Sequence, residues 1–207
     1  MLSSPSGGGK STIARHLLEA RDDVTYSVSA TTRRMRTGEE NGRHYHFLER
    51  PDFERRVAAG EFVEWAEYGG NLYGTLRDEV DKGLATGRHV VLDIEVMGAR
   101  QVRQRRPDSV HVFVLPPSAA VLAQRLRGRN TEDRASVDRR LAIASAELEA
   151  AGEYEYVVVN DDVVDAVAQV AAIIDVEARR VRRLTNLDSV IANLRRDLAG
   201  QQDRLRE

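Results

Sequence analysis

The sequence predicts an α/β fold, in which a parallel sheet flanked by helices carries an α+β insertion, a lid and a C-terminal helical tail. Two patterns support this prediction. A run of three glycines near the N-terminus leads into an amphipathic helix, and from Gly87 onward short apolar runs alternate with helical periodicity. The hydrophobic content of 42% in 207 residues suits one such domain with appendages.

The glycine run belongs to a P-loop motif, SPSGGGKST, at residues 4–12. In such a loop, backbone N–H groups surround a phosphate, and the following helix directs its positive dipole end at the same place. Lys10 supplies a positive charge for the β- and γ-phosphates, and the Ser11 hydroxyl can ligate Mg²⁺. Ser4 departs from the motif, which has glycine there. The alternative is a Gly/Ser-rich turn without a ligand. Lys10 and Lys82 are the only lysines in the chain, and such a scarcity of lysine indicates that an amine is required at position 10.

The composition excludes several classes of function. A net charge of −2 with 31% charged residues offers no strongly basic surface, so no nucleic-acid partner is expected. The absence of cysteine excludes disulfides and thiolate metal sites. No apolar run approaches the length of a membrane span, and no signal peptide precedes the P-loop. We therefore expect no membrane partner and a cytoplasmic location.

The sequence up to about residue 84 predicts a P-loop strand and helix, followed by short strands, loops and helices without regular strand–helix alternation. Only three residues precede Ser4, although a strand in this position is typically about 5–6 residues long. The strand is therefore a stub, or residues are missing upstream. Apolar spacing and turn glycines predict, in order, a helix at 12–20, a strand at 24–29, a polar loop at 31–36, a strand at 44–47, a helix at 51–59, a hairpin of 62–68 with 71–73, and a helix at 76–84.

The second part predicts regular strand–helix alternation. The apolar run at 90–94 ends in acids, as a buried parallel strand does at its functional edge. A second apolar run stops at Pro116 and Pro117. The pattern predicts strands at 90–94, 110–115 and 156–159, helices at 98–105, 118–126 and 136–151, a charged loop at 127–134, and a long final helix from residue 163.

Several motifs placed along this pattern resemble those of guanylate kinases. They are SATTRRMR at residues 29–36 ahead of Gly42 and Tyr45, FVEW at 62–65, YGT at 73–75 and VNDD at 159–162. The resemblance is collinear from residue 3 to about residue 180. It implies a P-loop nucleoside monophosphate kinase that uses ATP and Mg²⁺ to phosphorylate GMP and dGMP in purine nucleotide metabolism.

The same resemblance implies how the chain is divided. Residues 1–32 and 86–183 form the P-loop core, with a lid at about 127–137. Residues 33–85 form the GMP-binding insertion. Residues 184–207 form a helical tail that extends beyond the resemblance.

Two arginines in the polar loop have the chemistry of a phosphomonoester clamp. Arg33 and Arg36 lie three residues apart, and the guanidinium fork binds phosphate in a bidentate manner. The resemblance implies that they hold the GMP phosphate, with Tyr45 and Tyr73 completing the site. The alternative is a solvated arginine surface.

Base recognition is assigned to one carboxylate and two hydroxyls. Glu64 lies in an apolar hairpin strand, where its carboxylate can accept hydrogen bonds from N1–H and the 2-amino group of guanine; adenine has neither donor. By resemblance, Ser29 and Thr75 contribute hydroxyl contacts to the base. The alternative for Glu64 is a solvent-facing strand residue.

Two acids follow the strand beside the P-loop. Asp93 and Glu95 can hold Mg²⁺ through water or contact the second substrate, and the predicted metal residues are Ser11 and Asp93. Guanylate kinases commonly have Asp at the position of Glu95, where it helps to read guanine, and Gln at that of Met97. Glu95 is assigned to the GMP site, although its side chain is one methylene longer.

Three arginines match those of the guanylate kinase lid, which closes over the transferring phosphoryl group. Phosphoryl transfer depends on positioning and charge neutralisation, which arginines on a hinged lid supply. Plain salt bridges are the alternative for each of them. The predicted catalytic residues are Lys10, Arg125, Arg129 and Arg140. Asn160 resembles the adenine contact, so that the predicted ATP-binding residues are Ser6, Gly7, Gly8, Gly9, Lys10, Ser11, Thr12 and Asn160.

Two other functions stay open at this point. The first is a non-catalytic guanylate-kinase-like module that binds partner proteins; such modules usually lose the P-loop lysine or the lid arginines, which this chain keeps. The second is a P-loop kinase acting on a non-nucleotide phosphate ester, against which Glu64, Ser29 and Thr75 argue.

The tail has the pattern of a heptad helix. Its apolar positions alternate in spacings of three and four, as at the a and d positions of a coiled coil. The predicted seam residues are Leu184, Leu187, Ile191, Leu194, Leu198, Gln201 and Leu205. A lone helix with such a stripe needs a partner. A weak homodimer is favoured over packing of the helix on its own domain.

Overall fold

The computed structural model describes residues 1–127 and 134–204, of which 134–137 and 202–204 are described by their backbone alone. The chain divides into two compact units, one of Met1–Val170 and one from Ala171 onward. In the first unit, parallel strands alternate with helices, which confirms the predicted α/β class. Within the described residues, no helix combines the length and apolarity needed to span a bilayer.

The elements follow the predicted order. The strands are β1 (Leu2–Ser3), β2 (Val24–Tyr26), β3 (Ser29–Thr31), β4 (His46–Phe47), β5 (Phe62–Tyr68), β6 (Asn71–Leu76), β7 (His89–Val91), β8 (Val112–Leu115) and β9 (Tyr156–Val159). The helices are α1 (Lys10–Ala20), α2 (Arg50–Ala58), α3 (Arg77–Ala85), α4 (Val96–Arg105), α5 (Ala119–Arg127), α6 (Arg134–Glu149), α7 (Val163–Ala178) and α8 (Leu187–Arg204), with 3₁₀ turns at Ala150–Glu153 and Val181–Arg183.

The P-loop strand lies in the middle of the parallel strands. β1 pairs with β8, which pairs with β9, while β2 pairs with β7. The two groups meet at Leu2, whose N–H donates to Leu92 O at 2.8 Å and whose carbonyl accepts from Ile94 N at 3.2 Å. The order is therefore β2–β7–β1–β8–β9, with a central strand of only two residues. The carboxyl ends of parallel strands meet at one edge of the sheet, so the P-loop and the acids after β7 are neighbours.

A second, mostly antiparallel sheet has the order β4–β3–β6–β5. The predicted hairpin is confirmed as β5 and β6, although β6 continues to Leu76 instead of ending at residue 73. Its turn uses Gly69 and Gly70 at φ of 58° and 77°, a region that glycine adopts without steric cost. Phe53 of α2 stacks on Phe62 of β5, with ring centroids 4.4 Å apart, and both side chains are buried. This stacked pair anchors the helix to the sheet.

The predicted strand at 24–29 is wrong, because the chain changes sheets within it. Ser27 N–H still donates to Val91 O of the parallel sheet at 3.2 Å, whereas Ser29 already pairs with Thr75 of β6. The second sheet therefore begins at Ser29, ahead of the predicted start of the insertion at residue 33. This crossing places Ser29 between the two sheets.

Other element ends differ by a few residues. β7 ends at Val91 instead of residue 94, because Asp93 leaves the ladder with β2 and bridges Leu2. The first helix begins at Lys10 instead of residue 12, since the N–H groups of Thr12 and Ile13 already donate to Gly9 O, each at 3.1 Å. Both differences arise from contacts of the P-loop strand and its glycines.

In the second unit, the helical tail is shorter than the heptad pattern predicts. The prediction of one long final helix from residue 163 is wrong, because α7 ends at Ala178 and α8 begins only at Leu187. Leu184 therefore lies outside α8, after a 3₁₀ turn. Arg180 and Arg183 both form ion pairs with Glu177, at 3.0 and 3.4 Å, and these pairs fix the direction of the chain where it leaves α7. Leu205 lies outside the described residues.

Candidate functional site

The P-loop owes its conformation to its glycines. Gly7 and Gly9 have φ of 83° and 95°, in the left-handed region where other residues are strained. Gly8 N–H donates to Pro5 O at 2.8 Å, which folds the loop back on itself directly before α1. The loop therefore stands at the N-terminus of a helix, where backbone N–H groups and the helix dipole favour an anion.

Asn160 and Arg125 support this loop. The Asn160 side-chain N–H donates to Gly8 O at 2.9 Å, and a Cβ on Gly9 would lie 2.2 Å from the same nitrogen, so that only glycine leaves room for it. Arg125 donates to Asn160 O at 3.1 Å and to Gly8 O at 3.4 Å. Arg125 lies on α5, before the predicted lid, and the assignment of Asn160 to adenine stays a prediction.

Lys10 lies between the two predicted acids. Its Nζ donates to Glu95 Oε1 at 2.7 Å and lies 3.5 Å from Asp93 Oδ1. Burial lowers the pKa of Lys10, but the Asp93 and Glu95 carboxylates outweigh it, so the pKa is raised and the amine stays charged. The longer side chain of Glu95 thus reaches the P-loop lysine.

A cavity of about 270 Å³ extends from the phosphate loop to Ser29 and Tyr45, two of the residues predicted to bind GMP. P-loop residues and both acids line it together with Ser29 and Tyr45. Tyr26 also lines it, and the prediction missed this residue. Burial and the charge of Asp93 raise the pKa of the Tyr26 hydroxyl, which stays protonated and can donate a hydrogen bond. Its position at the carboxyl end of β2 is the signal that could have identified it.

The predicted phosphate clamp is only partly assembled. The Arg33 guanidinium lies over the Tyr45 ring at 5.4 Å, and Tyr45 meets Tyr73 edge-on at 6.1 Å. Arg33 pairs with Glu39 in a bidentate manner at 2.7 and 3.0 Å, while the Arg36 side chain is exposed and only its backbone N–H reaches Glu39. The bonds from Arg33 lower the pKa of Glu39 to about 2. Sequence reasoning missed Glu39, which has no distinguishing pattern in a polar loop.

The predicted base-reading residues lie together. Glu64 is only 5% exposed, which excludes the alternative of a solvent-facing strand residue. Thr75 Oγ1 donates to Glu64 Oε1 at 2.6 Å, and Ser29 is the strand partner of Thr75. Burial raises the pKa of Glu64, and the hydrogen bonds from Thr75 only partly offset this. A buried carboxylate with raised pKa needs further donors, and N–H groups of a guanine base would supply them.

The helix after the predicted lid contacts the P-loop at Ser6. Arg140 donates to Ser6 Oγ at 3.4 Å, and Ser6 N–H donates to Glu147 Oε2 at 2.9 Å. Burial raises the pKa of Glu147. Glu147 was not predicted, because the sequence there shows only an alanine-rich helix. Arg129 and most of the predicted lid lie outside the described residues.

Comparison with known proteins agrees with this geometry. The family model for guanylate kinase matches residues 1–177. The guanylate kinase of Rubrobacter xylanophilus is 52% identical over 162 residues, which cover 78% of this chain and 85% of that protein, and that of Alcanivorax borkumensis is 45% identical over 197 residues, 94% of each. The crystal structure of guanylate kinase from Anaplasma phagocytophilum superposes with a TM-score of 0.75 at 32% identity, covering 93% of this chain and 92% of that one. This chain belongs to the guanylate kinase family.

Proposed function

We propose that this chain transfers the γ-phosphoryl group of ATP to GMP, giving ADP and GDP. The observation that carries the proposal is the cavity that the P-loop shares with Ser29 and Tyr45. A kinase must bring its donor and acceptor phosphates together away from water, and this cavity is the place for both. The relatives named above all carry the name guanylate kinase.

Different side chains bind the donor phosphates, the acceptor phosphate and the base, as phosphoryl transfer requires. The P-loop N–H groups and Lys10 neutralise the donor phosphates, and Arg33 with the two tyrosines holds the acceptor phosphate. Glu64 and Thr75 orient the guanine base. Arg140 lies within reach of the P-loop at Ser6 and supplies a further positive charge near the transferred group.

The donor set fits Mg²⁺. Asp93 Oδ1 is buried without a hydrogen-bond partner among the described residues, and Ser11 lines the same cavity. Mg²⁺ is usually held by one or two oxygen ligands of the protein together with water and substrate phosphates, which suits a site with a single such acid and a hydroxyl. When bound, the ion neutralises charge on the phosphates of ATP.

We place the whole reaction in the cytoplasm.

The two alternatives have less support. Lys10, Arg125 and Arg140 are all present at the P-loop, and no comparison supports a non-catalytic module. A kinase for a non-nucleotide phosphate ester would have no use for the buried Glu64–Thr75 pair.

A coupled assay of ADP formation tests the proposal directly. With ATP and Mg²⁺, we expect GMP and dGMP to be phosphorylated at least about 10³-fold faster, in kcat/KM, than AMP, CMP or UMP. Loss of all turnover when Mg²⁺ is chelated is the accompanying control. Equal rates with AMP and GMP would overturn the assignment of the base site. If no nucleotide is phosphorylated, the hypothesis of a non-catalytic binding module replaces that of a kinase.

We further propose that the tail forms a weak homodimer. Leu187, Ile191, Leu194 and Leu198 of α8 follow the heptad seam, and the last three are exposed. Polar residues Arg195, Arg196 and Asp197 lie between the seam positions. A second copy of this helix is the occupant that matches such a seam.

Replacing Leu194 with glutamate should therefore abolish self-association. Light scattering over a concentration series should give a mass that rises toward twice the monomer for the natural chain and stays monomeric for the variant, with unchanged kcat. Arg196→Glu, two residues away at the position that faces away from the seam, is the matched control. Identical monomer masses for all three proteins would dispose of the homodimer.

A further inference from the structure

The edge strand of the second sheet is held by a side chain of α4 in place of a neighbouring strand. Among the described residues β5 is the last strand in its sheet, and one row of its backbone groups has no strand partner there. At Trp65, both groups are satisfied by Gln101: its Nε2 donates to Trp65 O at 2.7 Å, and its Oε1 accepts from Trp65 N–H at 3.3 Å. The amide of Gln101 thus pairs with a peptide group as another strand would.

The residue on the other side of Glu64 is held from the same helix. Arg105 Nη1 donates to Val63 O at 2.7 Å and to Phe62 O at 3.3 Å. Gln101 and Arg105 are four residues apart and therefore lie on one face of α4. The register of β5 with β6 shifts between Phe62 and Glu64, where Arg105 binds, and Gln101 binds the residue directly after Glu64. The irregular part of the strand is thus fixed at both ends by one helix.

Glu64 itself lies against this helix. A Cβ on Gly98, three residues before Gln101, would be 2.5 Å from Glu64 Oε2. Glycine at this position lets the helix backbone approach the carboxylate closely. Gly98, Gln101 and Arg105 therefore form one surface of α4 that contacts the bulge of β5 and the side chain it presents.

We propose that Gln101 is a positioning residue for guanine recognition, which rests on the proposed role of Glu64. Two hydrogen bonds to a base edge require the carboxylate to be held within a fraction of an ångström. The Trp65 peptide directly follows Glu64, so loss of the Gln101 pairing frees the edge of β5 and lets Glu64 shift. Gln101 does not line the cavity, so we expect it to act through the strand.

The test is a comparison of GMP and ATP kinetics in Gln101→Leu. We expect KM for GMP to rise about tenfold or more, KM for ATP to stay within about twofold, and the preference for GMP over AMP to fall. Gln104→Leu, at an exposed position of the same helix, is the matched control. Gln101→Glu keeps the shape of the side chain but removes its donor, and it should show the same selective effect if the leucine variant folds poorly.

Parallel measurements on Glu64→Gln separate the two proposals. If Glu64→Gln keeps the natural preference for GMP over AMP, the role of Glu64 fails and the inference with it. If Glu64→Gln loses the preference while both Gln101 variants only lower the melting temperature, or raise both KM values equally, Gln101 is structural and the inference alone is overturned. In support, Gln101→Leu should change KM for GMP much less in the Glu64→Gln background than in the natural chain.

Discussion

Replacing Lys10 with alanine should lower kcat by at least about 10³-fold and leave the dissociation constant for GMP within a few-fold of its natural value. The amine lies at the P-loop end of the cavity, 2.7 Å from Glu95 Oε1, and its proposed role is to neutralise the donor phosphates. Phosphoryl transfer spreads negative charge over the transferred oxygens, so the loss of a fixed positive charge weakens the transition state more than the ground state. Single-turnover kinetics with saturating ATP and calorimetric titration of GMP measure the two effects separately.

The chain offers a matched control for this experiment. Lys82 is its only other lysine; it lies exposed on α3 and faces Glu79 at 3.8 Å. Lys82→Ala should keep the natural kcat. If Lys10→Ala retains turnover within about tenfold of the natural chain, the assignment of residues 4–12 as the phosphate-binding loop is wrong.

Glu64→Gln should lower the preference for GMP over AMP by at least about 10²-fold in kcat/KM. The two oxygens of a carboxylate can accept hydrogen bonds from both N–H groups of guanine. The amide of glutamine has one oxygen and one NH₂ group, so its NH₂ would face one of the guanine N–H groups, and two buried donors would be left without an acceptor. Steady-state kinetics with both nucleotides measure the ratio. Glu67→Gln, at an exposed position of the same strand, should leave it unchanged. An unchanged ratio in Glu64→Gln would remove this residue from base recognition.

The same substitution should stabilise the free protein at high pH. The pKa of Glu64 is raised above its ordinary 4.5, chiefly by burial, so the folded state binds the proton more tightly than the unfolded state. Glu64 therefore favours folding most below its unfolded pKa, and this contribution is lost as pH rises through the folded pKa. Glutamine carries no charge to bury. The melting temperature of Glu64→Gln should exceed that of the natural chain at pH 8, and the difference should shrink toward pH 4.

The opposite signs of these two effects describe what a recognition site demands. A carboxylate buried beside Thr75 lowers the stability of the free protein, and under the proposed function two N–H donors of the bound base would offset this loss. A variant that loses activity and gains no stability at pH 8 would indicate that Glu64 is already compensated within the protein, for example by Arg105.

Local patterns in the sequence determined much of this site. The glycines of the P-loop, Lys10 and Ser11 follow one another along a few residues, and their chemistry depends on backbone conformations that the glycines themselves permit. The pairing of Glu64 with Thr75 could also have been predicted from the sequence, because the length of a short glycine turn determines which residues of the two hairpin strands are opposite each other. Such features need only contacts between near neighbours in the chain.

Other features required the packed fold. Glu39 and Glu147 support the site, yet each lies in a stretch without a distinguishing pattern. Tyr26 lines the cavity at the end of β2, but the predicted strand continued past this end to residue 29. The strand predicted at 24–29 was wrong for a different reason: its alternation is continuous, but its two halves find hydrogen-bond partners in different sheets. Backbone pairing is chosen by what lies alongside, which periodicity within one segment does not encode.

The sequence by itself determined the fold class, the family and the chemical types at the site, because motif spacing and hydrophobic period are properties of the chain. Only the tertiary structure decided that Glu95 reaches Lys10, that Asn160 and Arg125 brace the P-loop, and that Gln101 closes the edge of β5 beside Glu64. Each of these contacts joins residues more than thirty positions apart. Their geometry is set by how helices and sheets pack against one another, which no local pattern contains.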